Sequence, residues 1–439
     1  MIQQDSKSAD ENLLDDISNF YKIGLDLYKQ QKYAEAEKKL ADILKFTFNA
    51  NIITRLYFTR ESEIIIDTIY HLGSIYEKRS DIDCNYSKAA AIFQYGYRLA
   101  CKNFNSMYQV HYCSELTTDK LYNYRNKFLD KVNNIEQTFL HAAKTQLGIS
   151  NNSASTIIPG LERSFFNLAK DKLTELRVKT KGEIENIDKD NIPIEERSKK
   201  IQEIYSNINK FFANDQGSGL IQQLFQDCEL QLGKPPCKYA VITLGSLSVG
   251  MMTPWSDFEF AILIENDANK DANKKYFRLL TELMHIKIIN FGETILRSVG
   301  IESLNNFKTG KKEDDWFWDQ VIESGLSFDG PQWHACKTPI GRKGYKKISD
   351  VKNDSEQEGI QLVNIPDYEL ILTPAELYQL SLRDNRSAAF DSDKYFLQSL
   401  RSAGLLYGTI PNMACHSRTN NFYIGFAVIL NKTGLSHFS

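Results

Sequence analysis

Two acidic residues at alternate positions, Asp257 and Glu259, stand at the start of an apolar run that extends to Ile264. Residues i and i+2 of a β-strand point to the same face, so a strand here would present both carboxylates together. Two carboxylates that close repel each other unless a cation lies between them. Mg²⁺ takes oxygen ligands and completes its shell from substrate phosphates. The pair therefore predicts a site for Mg²⁺ or Mn²⁺ that works on a phosphate-bearing substrate.

A glycine-serine pair precedes these acids, with Ser246 eleven residues before Asp257 and Gly245 next to it. A turn into a short helix at this pair would leave backbone N–H groups free at a helix N-terminus, where they can bind phosphate oxygens. The alternative is a solvent-facing acidic strand that follows an ordinary turn. The spacing of the pair from the acids favours the functional interpretation.

The residues around these candidates predict the elements that position them. Short β-branched or apolar runs predict strands at 238–244, 257–264 and 326–329. Helical periodicity predicts helices at about 276–289, 315–324, 374–383 and 393–405. Strands that alternate with helices are typical of an α/β core, here with a mixed sheet.

The N-terminal part of the chain has apolar residues at three- and four-residue spacing from Ile17 to about Gln146, which predicts consecutive amphipathic helices. Two segments can be aligned, one around Gly24 and Leu40 and one around Gly73 and Phe93. The alignment resembles a degenerate tetratricopeptide array, in which small residues let paired helices pack closely. An ordinary helical bundle with glycine at close contacts is the alternative.

These patterns together predict an α+β multidomain chain. Its predicted regions are a helical tetratricopeptide-like region at 1–150, a helical spacer at 151–236, a core at 237–350 and a mostly helical C-terminal region at 351–439. The spacer has charges that alternate in sign, as on solvated helix faces.

The glycine-serine pair and the acidic pair after it resemble the signature of the DNA polymerase β-like nucleotidyltransferase superfamily. The strings YFRLLTELMHIKIINFGETIL, DWFWDQVIESGLSFDG and HACKTPIGRKGY are similar to an uncharacterised nucleotidyltransferase group related to protein-PII uridylyltransferase. This resemblance covers about 238–345 well and extends loosely to about Tyr407. Members of that group occur beside tetratricopeptide or ankyrin repeats.

The resemblance implies a two-metal transfer of a nucleoside monophosphate from a nucleoside triphosphate, such as ATP, to a hydroxyl group, with release of pyrophosphate. It implies that Asp257 and Glu259 hold both cations, and that Asp329 completes the site and accepts the proton of the attacking hydroxyl. For Asp329, a turn aspartate before Gly330 is the alternative. Gly245 and Ser246 would cradle the β- and γ-phosphates.

Two basic residues after Asp329, Lys337 and Arg342, could neutralise the charge of the triphosphate, and ordinary surface cations are the alternative. Many relatives carry arginine where this chain has Val249 and glutamate where it has Met251. The second acid is Glu259 rather than the commoner aspartate. These departures keep open a second hypothesis, in which a decayed transferase acts as an interaction scaffold or a nucleotide sensor.

The composition of the 439-residue chain limits its partners. The net charge is −3, which gives no footprint for indiscriminate binding to nucleic acid or membranes, so transfer onto an RNA end fits poorly. The seven cysteines include no CxxC pair, and the polar first residues show neither a basic n-region nor an apolar h-region, so we expect no secretory signal. We therefore expect a cytoplasmic protein whose repeats bind a protein acceptor. Delivery into another cell as a bacterial effector or toxin is compatible with this architecture.

Overall fold

The computed structural model describes most of the chain in segments. They are residues 2–49, 60–79, 85–109, 115–149, 159–189, 192–265, 270–304, 322, 325–328, 344–348, 361–365, 370–381 and 403–409. The chain divides into two compact units. The first comprises residues 1–139, 292–324 and 343–366, and the second comprises residues 140–291, 325–342 and 367–439.

The described helices and strands follow one another in chain order. They are α1 (Ile2–Lys29), α2 (Tyr33–Asn49), α3 (Arg60–Lys78), α4 (Asn85–Gln109), α5 (Glu115–Leu147), α6 (Pro159–Lys189), α7 (Ile194–Phe212), α8 (Leu220–Leu232), β1 (Tyr239–Thr243), α9 (Gly245–Ser248), β2 (Phe260–Ile264), α10 (Lys270–Asn290), a 3-10 helix (Leu296–Val299), β3 (Gly344–Ile348), β4 (Gln361–Ile365), β5 (Ile371–Leu372), α11 (Pro374–Ser381) and β6 (Leu405–Gly408). None of the helices in these segments combines the length and the apolar character that a membrane span needs.

Helices of the first unit form hairpins whose contacts repeat. A Cβ built on Gly24 would lie 2.7 Å from Leu40 Cδ2, and one built on Gly73 would lie 2.5 Å from Phe93 Cε1. Such short distances mean that only glycine lets these helices approach so closely. The two glycines and their two partners are the residues that align in the sequence. The α1–α2 and α3–α4 hairpins therefore pack alike at this position, while their assignment to tetratricopeptide repeats stays a prediction.

A half-buried carboxylate on α3 ties three helices of the first unit together. Asp67 accepts hydrogen bonds from Tyr21 on α1 and, at 3.1 Å, from Tyr124 on α5, and His71 Nδ1 lies 3.1 Å from its Oδ2. Burial acts to raise the pKa of Asp67, but these hydrogen bonds together hold it below its usual range. Burial acts to lower the pKa of His71, but the neighbouring Asp67 raises it. The pair is therefore stabilised in its charged form.

The second unit contains a four-stranded mixed sheet in the order β5-β2-β1-β6. β1 pairs antiparallel with β2, with Tyr239 opposite Ile264 and Thr243 opposite Phe260, and β6 pairs antiparallel with the other edge of β1. β5 pairs parallel with β2. Every residue of β1 and β2 is buried, as expected for central strands that are covered on both faces.

The C-terminal region departs from the sequence-based prediction. The helix predicted at 393–405 is wrong at its end, because Leu405 begins β6, and residues 393–402 lie outside the described segments. Within the described part of 351–439, α11 is accompanied by the strands β4, β5 and β6. The strand at Leu405 forms because the free edge of β1 supplies backbone donors and acceptors that must be paired. That need depends on residues distant in sequence.

Two polar side chains on α8, the buried Gln222 and the half-buried Glu229, attach β6 to the sheet. Gln222 Nε2 donates to the carbonyl of Leu406 at 2.9 Å, and the carboxylate of Glu229 accepts hydrogen bonds from Tyr239 and Tyr407, each at 2.6 Å. Burial, and then Glu229, raise the pKa of both tyrosines, so the phenols stay protonated and keep donating. One helix therefore holds β1 and β6 in register with each other.

Candidate active site

The chain leaves β1 through a turn at the predicted glycine-serine pair. Gly245 begins α9 and has a φ of 57°, in the left-handed region that favours glycine. Ser248 Oγ donates to the carbonyl of Gly245 at 2.7 Å, and Met251 N donates to the carbonyl of Ser246 at 2.8 Å. The turn thus has a fixed backbone path, and Ser248, which sequence reasoning did not select, helps to fix it.

The predicted acid Glu259 lies directly against this turn. Leu244 N donates to the carbonyl of Glu259 at 3.0 Å, which continues the pairing of the two strands past β1. A Cβ built on Gly245 would collide with Glu259 Oε2. Both the backbone angle and the available space therefore require glycine at position 245. The structure brings Gly245 and Glu259 together as the sequence predicted.

The other predicted acid, Asp257, is exposed and lies beside a third segment of chain. Ser327 Oγ donates to Asp257 Oδ1 at 2.5 Å, and Phe258 N donates to the carbonyl of Ser327 at 2.7 Å. Phe258 also forms a parallel β-bridge with Phe328. Sequence reasoning missed Ser327. A signal was present, because in a strand at 326–329 residues 327 and 329 would point to the same face of the sheet.

Both acids precede β2 rather than lying within it, which corrects the predicted strand 257–264. Regular pairing with β1 ends at Thr243 and Phe260, because β1 turns away at Gly245. The alternation of side chains nevertheless holds. Phe258 and Phe260 are fully buried, while Asp257 is exposed and Glu259 is half-buried. The two carboxylates therefore share the face opposite the buried rings.

An aromatic cluster packs against the buried side of this acidic segment. The rings of Phe258 and Phe260 stack with centroids 4.8 Å apart, and Phe225 packs edge-on against Phe260 at 5.4 Å. The buried His285 ring stacks on Phe328 at 4.5 Å. Close-packed interiors have low compressibility, so the backbone that carries the acids is held firmly on its apolar side.

Three other predicted site residues, Asp329, Lys337 and Arg342, lie outside the described residues. The described chain reaches Phe328, which directly precedes Asp329 in the sequence. Within the described segments, no group of three or more His, Cys, Asp or Glu side chains is placed to hold a metal ion. Asp257 and Glu259 supply the carboxylate oxygens that a hard divalent cation prefers, so their chemistry fits two of the three predicted ligands.

A known protein family matches the part of the chain that contains the candidate site. Residues 196–295 match the family model described as Putative nucleotidyltransferase DUF294. The matched segment begins in α7 and contains β1, the Gly245 turn, both acids and β2. No curated protein matches the chain, and no solved structure matches it. The family match supports a nucleotidyltransferase-like family for the segment that holds the candidate site.

Proposed function

We propose that the protein transfers a nucleoside monophosphate from a nucleoside triphosphate to a hydroxyl group. One observation carries the proposal: the carboxylate of Glu259 lies against the Gly245 turn, with Asp257 on the same side of the segment. A turn that can bind phosphate and two acids that can bind a cation are the parts that nucleotidyl transfer needs. The family match over the same residues supports this interpretation.

The turn binds the leaving part of the nucleotide in this proposal. Gly245 and Ser246 direct backbone N–H groups at the β- and γ-phosphates, while the missing side chain of Gly245 leaves room for the Glu259 carboxylate beside them. The hydroxyl oxygen of the acceptor attacks the α-phosphorus, and the bond from that phosphorus to the oxygen bridging to the β-phosphate breaks. Pyrophosphate is the leaving group. Lys337 and Arg342 neutralise its charge.

Asp257, Glu259 and Asp329 would hold Mg²⁺ or Mn²⁺. When bound, the cation would neutralise phosphate charge and stabilise the attacking and leaving oxygens. Asp329 accepts the proton of the attacking hydroxyl. Two contacts support a role for Asp329. The Ser327 hydrogen bond to Asp257 and the parallel bridge between Phe258 and Phe328 bring the chain just before Asp329 alongside the acids.

A protein hydroxyl is the acceptor that the helical region favours. Helical repeats bind extended protein surfaces, and the matched close contacts at Gly24 and Gly73 are what a repeat array would contain. The repeats select the acceptor in this proposal, and the Gly245 turn and the acids act on the nucleotide.

A labelling experiment tests the transfer. The purified protein is incubated with each α-³²P nucleoside triphosphate, Mg²⁺ or Mn²⁺ and a cell lysate. The Asp257→Ala/Glu259→Ala double variant is run beside it, with Glu265→Ala at the opposite end of β2 as the matched acidic control. We expect label on a protein with the wild type and with Glu265→Ala. Equal labelling by the double variant would contradict the proposal.

A second candidate function is a decayed transferase that acts as a scaffold or nucleotide sensor. Val249 and Met251 favour it, since they are apolar and 50% and 61% exposed at positions where the resemblance implies charged residues. Thermal unfolding with ATP, UTP, GTP and CTP, each with and without Mg²⁺, separates the two. Stabilisation that requires Mg²⁺ supports the transferase, whereas stabilisation without Mg²⁺ supports the sensor.

A further inference from the structure

The loop from Val249 to Ser256 joins the Gly245 turn to the acids, and helices from the predicted spacer hold it. Arg177 on α6 donates from Nε at 3.1 Å and from Nη2 at 2.8 Å to the carbonyl of Pro254. Asn209 on α7 donates from Nδ2 to the carbonyl of Gly250 at 2.6 Å. Two backbone positions of the loop are therefore bonded to side chains far away in sequence.

Each of the two donors makes a second contact. The guanidinium of Arg177 lies 5.8 Å from the ring centroid of Trp255, within reach of a cation–π interaction, and it presents two N–H groups in one plane. Asn209 Nδ2 also donates to the carbonyl of Tyr205 at 2.7 Å on its own helix. A lysine at 177 would keep the charge but lose the planar pair of donors.

Apolar burial anchors the loop at Met252, which is fully buried, and at the buried Pro254. The side chains of Val249, Met251 and Trp255 are 50%, 61% and 43% exposed. Hydrogen bonds between Thr253 and Ser256 close the loop locally, without attaching it to a neighbouring element. Arg177 and Asn209 add hydrogen bonds from α6 and α7 at the backbone of Pro254 and Gly250, and Asp257 follows Pro254 by only three residues.

We propose that Arg177 and Asn209 are positioning residues for the acidic pair, an inference that rests on the proposed function. Through Pro254 and Gly250 they set where Asp257 and Glu259 stand relative to the Gly245 turn. Helices α6 and α7 then belong to the catalytic part of the molecule and are more than a spacer. Asn209 lies inside the segment that matches the family model, whereas Arg177 precedes it.

The test compares Arg177→Ala, Arg177→Lys and Asn209→Ala with two matched controls. Lys179→Ala removes an exposed cation two residues from Arg177, and Asn207→Ala removes an exposed amide two residues from Asn209. The measurements are kcat, KM, the affinity for Mn²⁺ alone by electron paramagnetic resonance, and amide hydrogen exchange of residues 249–256.

We expect Arg177→Ala to lower kcat about ten- to a hundredfold, because small displacements of reacting groups are costly. Mn²⁺ binding weakens and exchange in the loop rises, while KM for the nucleotide and the unfolding temperature stay near the control values. Arg177→Lys gives an intermediate kcat. Asn209→Ala gives a smaller loss than Arg177→Ala.

Two results would overturn the inference while leaving the proposed function standing. In one, both alanine variants match their controls in kcat and Mn²⁺ affinity while Asp257→Ala/Glu259→Ala loses both. In the other, activity falls only in step with the unfolding temperature, which indicates a purely structural role. If the double acid variant keeps activity and Mn²⁺ binding, the proposed function fails, and the inference fails with it.

Discussion

Acidic side chains have opposite surroundings in the helical hairpins and at the sheet. Asp67 is enclosed by Tyr21, His71 and Tyr124, so its charge is compensated by donors from three helices. Asp257 is exposed, and Glu259 stands against a glycine turn. The first arrangement uses a carboxylate to join helices, and the second places one exposed and one half-buried carboxylate beside a turn. In the proposed function, only the acids at the sheet act on the substrate.

The largest expected effect comes from the acids at the sheet. Asp257→Asn and Glu259→Gln should each lower nucleotidyl transfer about a hundred- to a thousandfold, the range found when one charge-stabilising group is removed from an active site. Stability should stay the same or rise, because like charges are removed. Labelling rates measure the loss of transfer, and thermal unfolding measures the stability. A variant that lost stability in proportion to activity would break the comparison.

Substitution of the glycine in the turn should cost both activity and stability. Gly245→Ala places a side chain in the left-handed region, at a cost of about 1–2 kcal/mol, and drives it into Glu259. We expect transfer to fall about a hundredfold. A double-mutant cycle with Glu259→Ala, read by urea unfolding, isolates the collision. Additive free energies of unfolding would mean that the Glu259 carboxylate does not occupy this space.

In the helical hairpins, a glycine substitution should change stability alone. Gly73→Ala should destabilise the protein by about 1–3 kcal/mol, because the added methyl group meets the Phe93 ring. Gly182→Ala is the matched control within helix α6, since nothing lies within 4 Å of its built Cβ. We expect the control to stabilise by roughly 0.5–1 kcal/mol. Urea unfolding measures both, and kcat should not change in either variant below its unfolding temperature.

The smallest effect is a pH dependence of the helical region. The pKa of Asp67 is lowered on folding, so its contribution is present above its ordinary pKa and is lost as pH falls through the lowered value. The pKa of His71 is raised, so its contribution is present below its ordinary pKa and is lost as pH rises through the raised value. The pair should therefore stabilise most between about pH 4 and pH 6.5.

The matching experiment follows urea unfolding of the wild type and of His71→Gln at pH 6 and at pH 9. We expect the wild type to lose more free energy of unfolding between these pH values than the variant, because the variant has no imidazole to deprotonate. Equal losses would show that the His71–Asp67 pair does not contribute through its charge.

The parts of the fold that sequence predicted depend on local patterns. The strand before Gly245, the turn and the two acids follow from residues that lie close together in the chain, and the structure places them as neighbours. The helix predicted at about 276–289 is α10, which begins earlier, at Lys270. The prediction began too late because the first turns of this helix are polar, as a linker would be. Local periodicity identifies an element better than it identifies where that element begins.

The parts that sequence did not predict depend on distant residues. β6 pairs with β1 across more than 150 residues, and no pattern near Leu405 indicates that partner. The hydrogen bonds from Arg177 to Pro254 and from Ser327 to Asp257 are also long-range, and both donors are ordinary residues in their own segments. The residues that contact the acidic segment from elsewhere in the chain, such as Arg177 and Ser327, can therefore be found only from the tertiary structure.

The order of strands in the sheet has a consequence during synthesis of the chain. β1 and β2 are adjacent and early, but the strands that flank them, β5 and β6, begin only at Ile371 and Leu405. A nascent chain emerging from the ribosome therefore carries the acidic pair on two paired strands whose outer edges have unpaired backbone N–H and C=O groups. Open edges of this kind pair readily with other chains. Holding by a chaperone until residues near Gly408 emerge would keep such a chain from aggregating.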